Sequence, residues 1–598
     1  MIFIGKHGRM AVPRDGVRRY EGATIPIAQA CGYCNGEDES KMAFGPFGYL
    51  FPDAPIAAHG PGTTARLDAL AEAMVAQPAL DEGHSQIPSV FTFLGQFIDH
   101  DVTANTDREA GMSVIDADEV EPLPRRTVAA HLGNLRAGAL NLDSVYGGGP
   151  NMGPFAQKMQ KALRFPADCA KLWIGTTAIS PVGRVPIPAD PAADLLRLAR
   201  AISDPDPAFT EEELRCLPPE LRDMFVDRED GSLRLHTAII GDPRNDENLV
   251  VAQLHLGFLR FHNKVVDEAP RHLADVSDRS KVFTWARKMV RLHYQWIVLH
   301  DYLPAICDPG VLAGVVQSRA ALYRAFCERV GTPGPGLLPV PLEFSVAAFR
   351  FGHSMVRASY DWNRYYGRPV PGVVPLAKRA GLPLLFANTG NAAEPMPLPG
   401  GGSAPRLPSH MAVEWERLVG PVTADAPDRS ARRIDTMIEP PLADLANEET
   451  DTHVPGVMRH LARRNLRRGL RLNLPSGQAC LAAVNATGGP QLPALDRAAL
   501  VSGPAGAALE AGGFAGDTPL WVYILKEAEC LGSGGRLGPL GSRLVAETLV
   551  GLLAADPGSV LNQPGTGPGG RWRPADGVAP GGIPVDSIAG LLRAAALL

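Results

Sequence analysis

The sequence predicts a mainly α-helical protein in which one large helical domain takes up most of the chain. Long stretches repeat apolar residues with the period of an α-helix, strand signals are sparse, and no clean linker separates the helical stretches. The chain has 598 residues, of which 45% are hydrophobic and 20% charged. This balance is ordinary for a globular protein with a large core.

The expected helices lie in several separate stretches of the chain. They cover residues 63–76, 91–101, 249–266, 279–302, 344–357, 518–529 and 540–553. We expect residues 1–84 to form a partly irregular N-terminal extension, residues 85–555 the main domain, and residues 556–598 a tail with a short helix. Residues 366–410 are rich in proline and glycine and are expected to form a long surface excursion.

The charge pattern excludes some classes of partner. The net charge is −6, from 58 basic and 64 acidic residues, and no block of like charge occurs, which argues against nucleic acid or an anionic membrane. No apolar run reaches the ~18 residues of a transmembrane helix. The first residues lack the pattern of a secretory signal, so the cytoplasm is the expected location, with export by a signal-free route left open.

Eight cysteines are spread along the chain, and Cys31 and Cys34 form the only close pair. A second such pair and a nearby histidine ligand are missing from the sequence, so a zinc site is disfavoured. The pair is expected to be reduced or loosely redox-active.

The stretch 91–101 carries Gln96, Asp99, His100 and Asp101 within an otherwise apolar run. Gln96 and His100 are four residues apart and share a helix face, with Asp99 at its edge. A buried amide, imidazole and carboxylate need partners. The stretch therefore fits either a functional site or a helix end with a satisfied core histidine.

Two further stretches place polar groups at suggestive spacings. Asn141 and Asp143 are two residues apart in a segment that ends in glycines, which suits a calcium loop or an ordinary turn. Arg244 and Glu247 are three apart at the start of a long helix, so they share one face or form an exposed ion pair.

A third stretch, residues 344–357, is mostly apolar and contains one histidine. His353 follows Arg350 by one helical turn. On this stretch alone, His353 is either a ligand or a core histidine that bonds to its neighbours.

Taken in order, these stretches resemble the animal-type haem peroxidases of the peroxidase–cyclooxygenase superfamily, in a bacterial form, over residues 85–555. Gly95-Gln-Phe-Ile-Asp-His-Asp101 resembles the distal-histidine motif, and Asn141-Leu-Asp-Ser-Val-Tyr-Gly147 resembles the calcium loop. Arg244-Asn-Asp-Glu247 resembles the catalytic Arg-x-x-Glu, and Phe349-Arg-Phe-Gly-His353 the proximal-histidine motif. Asn465 occupies the place of the asparagine that bonds the proximal imidazole. The resemblance implies a mainly α-helical fold around one central haem b.

The resemblance also implies a role for each residue. His353 would be the neutral axial ligand of the iron, and the amide oxygen of Asn465 would accept the proton of its second nitrogen. His100 would take a proton from hydrogen peroxide and return it to the departing oxygen. Arg244 would stabilise the charge that develops as the O–O bond breaks, and Gln96 would hold water or a halide.

Three more residues have roles towards the haem itself. Arg350 would pair with a propionate, and Asp99 and Glu247 match the two carboxylates that form ester bonds to haem methyl groups in this family. The implied activity is reduction of hydrogen peroxide through a ferryl intermediate, with oxidation of halides, thiocyanate or phenols.

The calcium loop departs from the family pattern at two positions. Ala137 stands in the place of a threonine, and Asn141 stands in the place of an aspartate. Asp101, Asp143, the Asn141 amide and the carbonyls of Ala137 and Ala139 remain as calcium ligands. Fewer charged oxygens predict weaker calcium binding than in relatives.

Asn248 marks another departure, because one member of the family has a methionine there that forms a sulfonium link to haem. Such a link is impossible for Asn248. Easy oxidation of chloride at neutral pH is therefore not expected.

Two alternative functions fit these residues less well. A fatty-acid dioxygenase of the same superfamily needs a tyrosine three residues before the proximal histidine, where this chain has Arg350, and it lacks the aspartate that Asp99 provides. A non-enzymatic adhesion or scaffold protein with this fold would need a broken pocket, yet His100, Arg244 and His353 are all present.

Overall fold

The structure is a computed structural model, and it is mainly α-helical, as the sequence predicts. The residues that it describes are 45–75, 83–104, 112, 114–148, 154–179, 190, 192–217, 219–332, 336–392, 394–398, 401–445 and 456–598, with the backbone of four short strands before residue 45. The Cys31–Cys34 pair lies outside the described residues. Among the described residues, no helix has both the length and the apolar character needed to cross a bilayer.

Helices supply most of the framework. The α-helices are Thr63–Ala73, Val90–Val102, Arg125–His131, Asp143–Tyr146, Pro154–Ala162, Leu198–Ala201, Glu211–Arg215, Pro219–Phe225, Leu249–His272, Arg279–Ile297, Leu303–Ile306, Pro309–Ser318, Ala321–Val330, Leu382–Ala387, Glu416–Val419, Leu461–Arg471, Gly477–Asn485, Arg497–Leu500, Gly503–Ala511, Leu520–Leu531, Pro539–Ala555 and Ile588–Ala594.

The strands are short and pair locally or across long loops. The antiparallel pairs are Phe3–Ile4 with Met10–Ala11, Val17–Tyr20 with Ala23–Pro26, His84–Pro88 with Ser430–Arg432, Arg164–Phe165 with Asp168–Leu172, Ser359–Tyr360 with Ala380–Gly381, and Met396–Pro397 with Ser403–Ala404. Gly45–Gly48 is the central strand of a three-stranded sheet, parallel to Val340–Pro341 and antiparallel to Gly133–Asn134.

Three long helices meet at an aromatic cluster in the core. Phe97 of Val90–Val102 stacks on Phe258 of Leu249–His272, with ring centroids 4.7 Å apart and planes 5° from parallel. Tyr294 of Arg279–Ile297 meets Phe97 edge-on at 6.2 Å. All three rings are fully buried, so this cluster fixes the helix that carries His100 against the two longest helices.

The helix Arg279–Ile297 continues as a π-helical turn, Val298–Tyr302. This turn brings Tyr302 against the helix Val90–Val102. A Cβ atom at Gly95 would lie only 2.5 Å from the Tyr302 hydroxyl, so the close approach requires glycine there.

The structure corrects the prediction of a continuous helix over residues 344–357. It consists of a π-helical turn, Glu343–Ala347, followed by a 3-10 helix, Ala348–His353. The break falls at Ala347, whose φ of −129° and ψ of −67° are not helical. Glu343 anchors the break because its buried carboxylate accepts hydrogen bonds from the backbone of Leu50 at 2.8 Å and Phe51 at 3.1 Å.

The segment assigned to an N-terminal extension packs into the main body from Gly45 onward. Its strand Gly45–Gly48 joins the sheet described above, and its helix Thr63–Ala73 packs on Leu461–Arg471. Arg467 holds the two helices together through Asp68, with Nε 2.8 Å from Oδ1.

The C-terminal tail also contributes to the core. Its helix Ile588–Ala594 packs on Leu249–His272, and Arg260 Nε donates to the carbonyl of Ala595 at 2.8 Å. The extension and the tail thus both contact the main domain in the described part of the chain, and the boundaries at residues 84/85 and 555/556 stay predictions.

The proline- and glycine-rich excursion, residues 366–410, is only partly at the surface. Leu385 and Leu407 are fully buried, and Ala380–Gly381 pairs with Ser359–Tyr360. The composition predicts a surface excursion, but it gives no sign that apolar side chains from this segment turn inward.

A buried ion cluster holds the turn Pro243–Asp246, which precedes the long helix Leu249–His272. Arg197 lies between Asp194 and Asp246, with its guanidinium nitrogens 2.7 Å and 2.5 Å from their carboxylates. All three side chains are at most 2% exposed. Asp246 also accepts a hydrogen bond from the backbone of Gly390 at 2.7 Å, which ties the excursion to the same turn.

Replacing Arg197 by methionine should destabilise the protein by about 3–5 kcal/mol, because two buried carboxylates lose their partner. The measurement is urea unfolding followed by circular dichroism. Arg200→Met, at an exposed position three residues later, is the matched control and should cost less than about 1 kcal/mol. Equal stabilities for the two variants would contradict the role given to the cluster.

Candidate active site

One cavity of about 320 Å³ collects the polar residues singled out in the sequence. It lies between the helix Val90–Val102, the turn Pro243–Asp246, the segment 349–356 and the helix Leu461–Arg471. Of the predicted site residues, Gln96, Asp99, His100, Arg244, Glu247, Arg350 and His353 line it. Asn465 stands behind His353. Residues that lie more than 250 positions apart in the sequence thus line the same cavity.

His100 faces the cavity with a defined tautomer. Its Nδ1–H donates to Asn245 Oδ1 at 2.8 Å, and Asn245 Nδ2 donates in turn to Nδ1 of the fully buried His255 at 2.9 Å. Burial and the nearby Arg244 guanidinium lower the pKa of His100 to about 4. The imidazole is therefore neutral at pH 7, and its Nε2 carries a free electron pair.

Sequence reasoning missed Asn245 and His255. Asn245 adjoins Arg244, and an amide beside a candidate catalytic residue is a weak signal. His255 lies ten residues further on, within the apolar face of a helix, where a histidine most often reads as core. Only the tertiary structure shows that the two residues orient His100.

Arg244 is held by the carboxylate of Asp242. This carboxylate caps the turn by accepting from the Arg244 backbone at 3.0 Å and pairs with the Arg244 guanidinium at 2.7 Å. Arg136 pairs with the same carboxylate. Burial alone would raise the pKa of Asp242, but the two guanidinium groups outweigh it and hold that pKa well below its usual range.

Both arginines also reach the end of the helix that carries His100. The carbonyl of His100 accepts from Arg244 Nη2 at 2.9 Å and from Arg136 Nε at 3.1 Å. Cations stabilise the C-terminal end of a helix, where carbonyls lack intrahelical partners. The position of His100 and that of Arg244 are therefore set by the same contacts.

Gln96 and Asn248 contact each other at the cavity. Asn248 caps the helix Leu249–His272 by accepting from the backbone of Val251 at 3.0 Å, and its Nδ2 donates to Gln96 Oε1 at 3.0 Å. The Gln96 oxygen is thus engaged, which leaves its amide nitrogen as the donor for a cavity ligand. The two carboxylates Asp99 and Glu247 are half-buried, and Asp99 Oδ1 accepts from the Thr103 hydroxyl at 2.8 Å.

His353 contacts Asn465 through the amide nitrogen, whereas the family resemblance implies a contact through the amide oxygen. Asn465 Nδ2 donates to His353 Nδ1 at 2.8 Å, while Asn465 Oδ1 accepts from Arg350 Nη1 at 3.5 Å. The amide oxygen therefore follows the Arg350 guanidinium rather than the imidazole. Burial and three nearby guanidinium groups hold the pKa of His353 far below its usual value, so the ring is neutral.

Those guanidinium groups belong to Arg350, Arg464 and Arg468, and all three line the cavity. Arg464 and Arg468 are four residues apart on the helix Leu461–Arg471 and share one face. Arg468 is buried in this wall of the cavity. Three guanidinium groups along one wall favour a ligand with carboxylate or phosphate groups.

The residues expected to bind calcium are Asp101, at the end of its helix, and four residues of the segment 137–143. Several of their oxygens accept hydrogen bonds from the protein. Asp101 accepts from the backbone of Leu142 at 2.9 Å, and Asn141 Oδ1 accepts from Arg291 at 3.1 Å. Ala137 and Ala139 give their carbonyls to backbone N–H groups at 2.8 Å and 2.9 Å. Among the described residues, no cluster of three or more histidine, cysteine or acidic side chains can hold a metal ion. This donor set does not fit calcium.

One segment of the chain matches a family model of known proteins. Residues 209–380 match the animal haem peroxidase family. Arg244, Glu247, Arg350 and His353 lie within the matched segment, whereas Gln96, Asp99, His100 and Asn465 lie outside it.

Curated relatives match over about a fifth of the chain. Human eosinophil peroxidase is 30% identical over 128 residues, which is 21% of this chain and 16% of the relative. Human lactoperoxidase is 32% identical over 126 residues, with coverage of 21% and 16%. The dual oxidase of Drosophila melanogaster is 30% identical over 118 residues, which is 20% of this chain and 7% of the relative. The matches thus span a small part of these proteins.

Two solved structures align over most of the chain. Peroxidase A from Dictyostelium discoideum has a TM-score of 0.47 and 16% identity, covering 88% of this chain and 90% of that one. A fatty acid alpha-dioxygenase from Arabidopsis thaliana has a TM-score of 0.45 and 14% identity, covering 85% of this chain and 72% of that one.

Proposed function

We propose that this protein is a haem peroxidase that reduces hydrogen peroxide and oxidises small donors such as bromide, iodide, thiocyanate or phenols. The observation that carries the proposal is the shared cavity of two neutral histidines, His100 and His353, with the cation of Arg244 beside them. A neutral imidazole suits a proton acceptor and an iron ligand equally, and here the surroundings of the two rings differ.

The residues of the cavity fit haem. His353 would ligate the iron through Nε2, because its Nδ1 is bonded to Asn465. Arg350, Arg464 and Arg468 would pair with the propionates. When bound, haem supplies an iron centre that hydrogen peroxide oxidises and small donors reduce. As an iron ligand His353 carries its proton on Nδ1, so the Asn465 amide is expected to turn its oxygen towards the ring.

His100 handles the proton of the peroxide. Its Nε2 is unprotonated, because the Nδ1–H donates to Asn245. Nε2 can therefore take a proton from one oxygen of hydrogen peroxide and return it to the other oxygen as water leaves. Asn245, itself held by His255, keeps the ring in this tautomer throughout.

Arg244 and Gln96 are given two further roles in the cavity, one towards the peroxide and one towards a water or halide. The Arg244 guanidinium stabilises negative charge on the departing oxygen. Asp242 holds the guanidinium in place by accepting from its Nε and Nη2 atoms. The amide nitrogen of Gln96 donates to a water or halide, because its oxygen is already bonded to Asn248.

His353→Ala should abolish haem retention, since the iron loses its protein ligand. The measurement is titration of the purified protein with haem, followed by the Soret band. His272→Ala changes an exposed histidine outside the cavity and is the matched control. An unchanged Soret spectrum in His353→Ala would remove His353 from this role.

His100→Ala should keep haem but slow its reaction with hydrogen peroxide by about 10²–10⁴-fold, the usual contribution of a general acid–base group. In the unaltered protein, this rate should be level around neutral pH and fall as the pH drops through about 4, because His100 then becomes protonated. Stopped-flow spectroscopy gives both results. A rate within a few-fold of the unaltered protein, or a decline already near pH 6.5, would contradict the assignment.

The dioxygenase alternative is kept because Tyr302 lines the cavity with its buried phenol. Arg350, at the position where the sequence comparison calls for a tyrosine, donates instead to the Ser345 carbonyl at 3.1 Å and to Asn465. Turnover of a phenol and of bromide with peroxide, measured beside oxygen uptake with a long-chain fatty acid, separates the two activities. Oxygen uptake that is lost in Tyr302→Phe would favour the dioxygenase.

Asp99 and Glu247 are proposed to form ester bonds to haem methyl groups. Each ester bond joins a carboxylate oxygen to a haem methyl carbon, which loses one proton. The reaction is a two-electron oxidation, and one molecule of hydrogen peroxide accepts the two electrons and is reduced to water. Both carboxylates line the cavity and are half-buried, so an ester would remove a charge from a poorly solvated position.

After treatment with peroxide, acidified organic solvent should leave haem attached to the chain. Asp99→Asn and Glu247→Gln should each lose one link, which mass spectrometry of the haem peptides detects. The double variant is the control in which all haem is extracted. Complete extraction of unmodified haem from the peroxide-treated unaltered protein would show that neither carboxylate forms a link.

A further inference from the structure

The loop 137–144 follows a family pattern for calcium, yet its surroundings are those of a protein-held loop. One face of the helix Arg279–Ile297 lies against it. Arg287, Arg291 and Gln295 are spaced four residues apart, so their side chains project from the same face. Each of the three addresses a different residue of the loop.

The three contacts succeed one another along the helix. Arg287 Nη2 lies 3.6 Å from Asp143 Oδ1. Arg291 Nη1 donates to Asn141 Oδ1 at 3.1 Å, and Gln295 Nε2 donates to the carbonyl of Leu140 at 2.9 Å. The helix face thus places a guanidinium near the carboxylate of Asp143 and donates a hydrogen bond to the side chain of Asn141, the two residues that the family pattern would offer to the metal.

The same side chains bind the C-terminal segment on their other side. Arg291 Nη2 donates to the carbonyl of Gly558 at 2.8 Å, and its guanidinium lies 4.0 Å from Asp556. Gln295 Oε1 accepts from the backbone of Val560 at 2.9 Å. Arg291 and Gln295 therefore clamp the loop to residues 556–560.

A calcium ion would find this position unfavourable. Calcium takes six to eight oxygen ligands, whereas Asp101, Asn141 and the carbonyls of residues 137, 139 and 140 already accept N–H groups. Arg287 and Arg291 already place two positive charges beside Asp143 and Asn141. A divalent cation at the same place would be repelled by both guanidinium groups.

We propose that Arg291, supported by Arg287 and Gln295, takes the structural place of calcium, so that the loop beside His100 is held without a metal ion. A second change accompanies Arg291, because the side chain that it contacts is the uncharged amide of Asn141, where the family pattern has an aspartate. The inference goes beyond the proposed peroxidase activity, and its tests need neither haem nor turnover.

The first test measures calcium in the full-length protein after incubation with excess calcium and desalting. Inductively coupled plasma mass spectrometry should find far less than one calcium per chain, and the chelator EGTA should leave the Tm unchanged to within ~1 °C, because an ion that binds only the folded state would raise it. One calcium per chain, or a Tm lowered by EGTA, would overturn the proposal.

The second test removes the cation. Arg291→Met should lower the Tm by several degrees, because Asn141 and the 556–560 segment lose their shared donor, while Lys288→Met, at an exposed position on the same helix, should not. The combination of Arg291→Met with Asn141→Asp should then gain calcium binding, seen as a Tm that rises with added calcium. A double variant that stays blind to calcium would show that Arg291 is not what excludes the ion.

Discussion

The site depends on one buried carboxylate. Asp242 lies between the guanidinium groups of Arg136 and Arg244, and both of these also donate to the carbonyl of His100. Because the two cations outweigh the cost of burial, Asp242 stays charged, and because it stays charged the two cations remain in place. The helix that carries His100 and the turn that carries Arg244 are thereby locked to each other through a single anion.

Much of the fold was readable from local sequence because local patterns determine it. The apolar runs around Phe97 and Phe258 repeat with helical period, and both form long buried helices. Seven residues that line the cavity were also readable, since each belongs to a motif with fixed internal spacing. By contrast, the break at Ala347 depends on Glu343 and on backbone donors almost 300 residues away, which no local pattern reveals.

The remaining misses concern charged and amide side chains whose roles are set by distant partners. Arg464 and Arg468 are not among the residues that the sequence motifs single out, yet both line the cavity beside His353. Asn245 and His255 look unremarkable until the fold brings His100 to them. In the calcium-like loop, the ligand pattern of the sequence survived in part, but the guanidinium that answers Asn141 comes from a helix 150 residues later. Polar partners in a core must be satisfied, but the sequence does not say by which residue.

The contacts that complete the cavity join residues far apart in the sequence, and this has a consequence for how the protein is made. His100 and Asn245 are separated by 145 residues, and His353 and Asn465 by 112. The helix Leu249–His272, which follows the Arg244 turn, also donates to the carbonyl of Ala595, 335 residues after Arg260. On the ribosome, the cavity therefore cannot close until the helix Leu461–Arg471 has emerged, and partly built walls stay exposed to water until then. A ligand that arrives before that point would meet an unfinished site, so binding is expected to follow the synthesis of this helix rather than precede it.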